Sequence, residues 1–137
     1  MGKLSLSLIF TCLIISSRAE AQNATYACQS IVEGGLIWEN GQWKATRFTP
    51  QRPFFLSSVN LTLTKESVGK ALETTLGVFC HETARNIQSC GDRLGGGLIF
   101  DFENLTGATS QILGAALKDN RPSKDDLKIR TFTCTKM

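Results

Sequence analysis

The chain has 137 residues and a formal net charge of +3; 42% of its residues are hydrophobic and 20% charged. That length suits one domain, and the charges are scattered along it. The spacing excludes the dense Lys/Arg tract expected of a nucleic-acid or polybasic membrane site and fits a mixed solvated surface.

Lys3 opens the chain with a positive charge, and an apolar run follows from Leu4 to Ile15, broken by Ser5, Ser7 and Thr11. Ala19-Glu20-Ala21 then offers small residues at the two positions a signal peptidase reads. This is the pattern of a secretory signal peptide over residues 1–21, with cleavage between Ala21 and Gln22. Its apolar run is about a dozen residues, short of the roughly 20 needed to span a bilayer. No later run is longer, so we expect a single secreted or periplasmic domain, residues 22–137, with no membrane span. Cys12 lies inside the apolar run behind Thr11, which does not suit a lipid-modified cysteine. Losing Lys3, Arg18 and Glu20 with the leader takes the net charge from +3 to +2.

Cys28, Cys80, Cys90 and Cys134 remain. An even number in a short exported chain points to two disulfides, for which three connectivities exist. The short, turn-rich stretch between Cys80 and Cys90, with Asn86 and Ser89, favours that pair. Cys28–Cys134 would then tie the first strand to the last, and the other two pairings stay open.

A short lead-in over 22–27 runs into a strand around Tyr26 to Ile31. In Leu36-Ile37-Trp38-Glu39-Asn40-Gly41-Gln42-Trp43-Lys44-Ala45 the Asn-Gly pair predicts a two-residue hairpin, because both residues tolerate positive φ. Trp38 and Trp43 then oppose each other at a non-hydrogen-bonded pair, on a dry face with Leu36 and Ala45. Glu39, Gln42, Lys44 and Thr46 take the wet face, with Ile37 as its apolar exception. Beyond Pro50 and Pro53, Phe55, Val59, Leu61 and Leu63 share one phase, which predicts a half-buried strand. Thr64 is placed to cap a short helix from Lys65 to Thr75. Leu76, Val78 and Cys80 resume strand phase. The glycine-rich stretch Gly91 to Gly97 leads to a strand with Leu98, Phe100 and Phe102 on one side and Asp101 and Glu103 on the other. Asn104 to Gly107 reads as a turn, and Ala108 to Leu117 fits the second arm of a hairpin somewhat better than a helix. Pro122 falls in a polar loop. In the last strand Leu127 and Ile129 share one face, and Phe132 and Cys134 the other, which predicts a bulge near Arg130 or Thr131. These elements make a mainly β fold, a small antiparallel barrel or sandwich of about seven strands with one short helix and two disulfides.

Candidate chemistry is sparse. Cys80-His81-Glu82 with Cys90 holds metal-ligating residue types, but structural zinc sites use four ligands in paired short spacings, and disulfide use of the cysteines is the simpler reading. Asp101 and Glu103 are paired carboxylates of the kind that hydrolyse glycosides, and His81, the single histidine, is the candidate base. Alternating polar residues on the wet face of an antiparallel strand are the ordinary expectation, and a solvated surface is the favoured reading of the two carboxylates. There is no Gly-x-Ser-x-Gly elbow and no phosphate loop, since Gly91–Gly97 lacks the Lys-Ser/Thr ending. That stretch is expected to supply positive φ or a close backbone approach. Trp38 and Trp43 read as buried core ahead of a flat platform for a sugar or partner. Asn23-Ala-Thr25, Asn60-Leu-Thr62 and Asn104-Leu-Thr106 fit the N-glycosylation pattern at positions expected to be exposed, and matter only in a host that glycosylates exported chains.

Cys28, Trp38 and Cys80 together resemble the Cys…Trp…Cys frame of an immunoglobulin domain, although Val78 stands where the tyrosine corner needs Tyr. Tyr26-Ala-Cys28, the Gly35–Trp43 hairpin, Leu98-Ile-Phe-Asp101 and Phe132-Thr-Cys134 resemble small exported proteobacterial proteins that carry no assigned activity. That resemblance implies a periplasmic or secreted protein of unknown role, brings no catalytic residues with it and argues against use of the sequons. The expectation is a non-enzymatic binding or interaction module without a cofactor. Its partner is an unknown protein or small ligand, and its oligomeric state is unspecified. A small secreted hydrolase using Asp101/Glu103 or His81, and an immunoglobulin-like adhesion module, are the alternatives.

Overall fold

The structure is a computed structural model, and it describes residues 22–50, 52–112 and 127–137. The leader and the expected cleavage point after Ala21 lie outside these residues, as do Pro122 and the second half of the 108–117 segment.

Among the described residues nine strands and one helix follow in chain order: β1 (Asn23–Glu39), β2 (Gln42–Arg47), β3 (Phe54–Val59), β4 (Thr62–Leu63), α1 (Lys65–Ala71), β5 (Phe79–Ala84), β6 (Ile87–Gly91), β7 (Gly96–Asp101), β8 (Thr106–Gln111) and β9 (Leu127–Lys136). The expected mainly β barrel with one short helix is therefore found, with nine strands in place of seven. All pairings are antiparallel, and the sheet runs β4-β3-β1-β9-β8-β7-β6-β5, nearly closing on itself. β1 is its spine. One edge pairs with β9 from Tyr26 to Leu36. The other carries β3 along Asn23–Cys28 and β2 along Gly34–Glu39. The separate lead-in, first strand and hairpin arm expected from the sequence are thus one strand of 17 residues.

The hairpin forms with the register its turn chemistry demands. Asn40 and Gly41 take φ of 50° and 77°, and Trp38 faces Trp43 across the ladder. Their rings meet edge to face at 5.1 Å, and Lys44 pairs with Glu39 on the opposite face. Both tryptophans are half-buried and outside the described core, on the part of the hairpin beyond Leu36, the last β1 residue that β9 pairs among the described residues.

Both favoured disulfides are present, Cys28–Cys134 and Cys80–Cys90. Each joins directly opposed residues, on β1/β9 and β5/β6. The Cys28–Cys80 bridge that an immunoglobulin frame requires is therefore absent.

The barrel interior is filled by side chains. Leu56, Val68, Leu98, Phe100 and Phe132 are almost fully buried. Phe100 lies 5.3 Å from Tyr26 and 6.2 Å from Phe132, centroid to centroid. Two expectations about the 55–63 segment fail here, one of phase and one of extent. On β3 it is Leu56 and Ser58 that point inward, while Phe55 and Val59 are exposed. Ser58 is tolerated inside because its hydroxyl meets that of Tyr26 at 3.3 Å, which satisfies both buried oxygens. The β3 segment also stops at Val59, where Asn60 and Leu61 turn at φ of 50° and 58°.

α1 ends earlier than expected, at Ala71 and not Thr75. Thr64 caps it, accepting from the Ser67 N–H at 3.4 Å, and Glu73 breaks it at φ 54°. Val68, Ala71 and Leu72 lay its apolar face on the barrel core. At the 91–97 loop, Gly95 takes φ 81°, and a Cβ at Gly96 would sit 2.8 Å from the Asp92 carboxylate that binds the loop's N–H groups. Positive φ and close approach are what the glycines provide.

Candidate functional site, the polar end of the barrel

The inner surface changes character along β1, and a bulge causes it. Tyr26, Cys28 and Ser30 point inward on alternate residues. Ser30 pairs with Phe132 and Val32 with Thr131, so Ile31 is the extra residue. The insertion leaves Ile31 and Val32 exposed and brings Glu33 inward. The expected bulge near Arg130 or Thr131 on β9 is thus on its partner strand. β9 runs unbroken, so its inward phase continues from Cys134 and Phe132 to Arg130, and Ile129 stays exposed.

Register then assembles two polar rows across the inner face. Thr109 on β8, Arg130 on β9 and Glu33 on β1 form the first. Gln111, Lys128 and Gly35 form the second. Arg130 Nε donates to Glu33 Oε2 at 3.2 Å, and their side chains are only 11% and 5% exposed. Among the described residues no acceptor meets Arg130 Nη1, and Ser30 Oγ, also buried, has no partner. Gln111 Nε2 donates to the Leu72 carbonyl at 3.4 Å, joining this end of the barrel to the end of α1. Lys128 Nζ lies 5.0 Å over the Phe48 ring, and the Phe48 N–H donates to the Glu33 carbonyl at 3.0 Å. A cavity of about 10 Å³ opens here, walled by Leu72 and Glu73 from the end of α1 and by Thr109, Gln111, Lys128 and Arg130 from the strands.

No family model matches the chain, and no curated protein or solved structure is significantly similar to it.

What this end can do follows from its donors. A guanidinium presents five N–H groups in a rigid plane. Leaving some of them buried without an acceptor costs more than for a neutral donor, so the group favours whatever can fill that role. Mouths of β-barrels with a few convergent polar groups are also where small ligands commonly bind.

The residues singled out from sequence are placed elsewhere. Asp101 ends β7 and caps the following turn. Its Oδ1 accepts from the N–H groups of Glu103 and Asn104, and its Oδ2 from Asn104 Nδ2 at 2.7 Å. The Asn104 side chain, then the two backbone N–H groups, hold its carboxyl below the ordinary 3.8. Glu103 is exposed in that turn, off the strand, so the two carboxylates do not share a strand face. His81 is exposed on β5 opposite Ser89, and the residue on β6 facing Asp101 is Ile87. The structure does not bring the three together. Cys80 and Cys90 are bonded to each other and hold no thiolate for a metal. Asn23, Asn60 and Asn104 are all exposed and gather at the opposite end of the barrel, at the start of β1 and in the β3–β4 and β7–β8 turns. The tryptophan rings, tilted 69° to each other, do not form one flat platform.

Glu33, Arg130, Lys128, Thr109 and Gln111 were not singled out from sequence. A signal existed for two of them. Arg130 occupies the inward phase set by Phe132 and Cys134, and Lys128 keeps that phase.

Proposed function

We propose that this chain is an exported, non-enzymatic binding module, and that its ligand site is the polar end of the barrel. One observation carries the reading. The barrel's inner face is packed with aromatic and aliphatic side chains over most of its length, then turns polar around a buried guanidinium with donors to spare. Among the described residues the barrel interior is packed, and the polar groups at this end suit a ligand that accepts hydrogen bonds. Export is supported by the signal-peptide pattern of residues 1–21 and by two disulfides of the kind kept in oxidising compartments.

Two measurements test the reading. Peptide mapping without reductant should find a mature chain beginning at Gln22 with both bridges intact. Recovery of an unprocessed chain with free thiols would end the export reading. Thermal unfolding of the oxidised protein should then be followed against a small-molecule library sorted into acids, bases, sugars and neutral amides. Binding to the folded state raises Tm, so at least one class should do so in a saturable way. If no class does, the binding reading fails.

A further inference from the structure

We infer that the ligand group taken at this end is an anionic oxygen group, a carboxylate or a phosphate, held by Arg130 and Lys128. The inference rests on the reading of the polar end as the binding site.

Arg130 spends its Nε on Glu33 and leaves Nη1 buried without an acceptor among the described residues. A buried cationic donor gains most from an anionic acceptor, because charge-assisted hydrogen bonds are roughly twice as strong as neutral ones. Lys128 supplies a second positive charge from the next row of the same face. Its contact with Phe48 positions the ammonium without consuming its N–H donors. Thr109 and Gln111 place a hydroxyl and an amide on the same wall. The cavity of about 10 Å³ has room for about one oxygen atom. An anion would therefore enter by a single terminal oxygen and keep the rest of its body in the opening.

Among the described residues two carboxylates face the same region. Glu33 lies across the ladder from the cavity and is matched to Arg130. Glu73 stands at the rim, exposed, and repels an incoming anion. It gives the inference a signature that a purely structural role for Arg130 would not produce.

The test uses acetate and inorganic phosphate as separate probes, titrated into the disulfide-intact protein by calorimetry at constant ionic strength. Saturable binding of at least one is expected, and which one binds tells a carboxylate site from a phosphate site. Lys128→Gln should weaken it about tenfold, the loss of one charge-assisted contact. Glu73→Gln should tighten it about threefold, the relief of a screened like-charge contact. Both side chains lie outside the hydrophobic core, so these variants keep the test sound even if Arg130→Gln fails to fold. The inference is overturned if neither anion saturates, or if both variants bind like the parent. A library hit among neutral amides or bases with no response to either anion would remove the anionic ligand but leave the site. No response of any kind would remove both.

Discussion

Glu33 and Arg130, 97 residues apart in the chain, face each other across the β1–β9 ladder and form an ion pair almost sealed from water. Removing one partner strands the other charge in the interior, so Glu33→Ala should cost about 3–5 kcal/mol in urea unfolding. The pair itself repays its own desolvation poorly. Glu33→Leu combined with Arg130→Met should therefore recover most of that loss, leaving stability within about 1 kcal/mol of the parent. A double variant no more stable than Glu33→Ala would show that the pair's value is structural beyond its charges.

Asp101 gives a pH signature. Its carboxyl is held below the ordinary 3.8, first by Asn104 Nδ2 and then by two backbone N–H groups. A depressed folded-state value means a stabilising contribution that is complete above the unfolded value and disappears as pH falls through the folded one. The Tm advantage of the parent over Asp101→Asn should be constant from pH 7 to about pH 5 and shrink steadily below about pH 4. An advantage that persists unchanged at pH 2 would mean that the charge on Asp101 does not hold the turn.

Two glycines should respond in opposite ways to the same change. A Cβ at Gly107 would lie 2.3 Å from Phe132 Cζ and 2.4 Å from the Ile99 carbonyl. Neither the fully buried ring nor the ladder carbonyl can give way, so Gly107→Ala should cost at least about 1–3 kcal/mol. At Gly34 the nearest atom is the Thr46 carbonyl oxygen at 3.5 Å, an ordinary contact. Gly34→Ala should be neutral or stabilise by about 0.5 kcal/mol through the unfolded chain. Thermal unfolding of the two variants side by side checks the contrast.

Local chemistry made part of this fold legible. Asn40-Gly41 dictates a turn of two residues, and that turn fixes the Trp38–Trp43 register with no help from the rest of the chain. Leu98 and Phe100 reveal their buried face because both their strand neighbours and their phase agree. Alternation alone misled on β3. Phe55 and Leu56 are apolar neighbours in opposite phases, and only the register that sets Leu56 opposite the inward Tyr26 decides that Leu56 goes in. The apolar residues of β9 change phase but the strand does not: it runs unbroken and leaves Ile129 exposed, while the inserted residue is Ile31 of β1. The polar end of the barrel was hidden for the same reason. Glu33 faces inward only because of that insertion, and its partner is remote in sequence, so no window of residues contains both.

The disulfides offer the last prediction, because their loops differ so much in length. Cys28–Cys134 closes a separation of 106 residues and Cys80–Cys90 one of 10. In the chain-entropy estimate the long loop is worth about 5 kcal/mol and the short one about 3 kcal/mol. Packing widens the gap. Cys28 and Cys134 are both buried, beside Phe132 on the strand pair that forms the spine of the barrel, whereas Cys80 is half-buried on the terminal strand of the sheet order. The β5–β6 hairpin also has a tight turn of its own at Asn86, φ 63°. Replacing Cys28 and Cys134 together by Ala should therefore lower the denaturation midpoint much more than replacing Cys80 and Cys90, with the smaller change leaving a folded protein. An equal or reversed order in urea would place the cooperative core nearer β5 and β6 than the β1–β9 ladder.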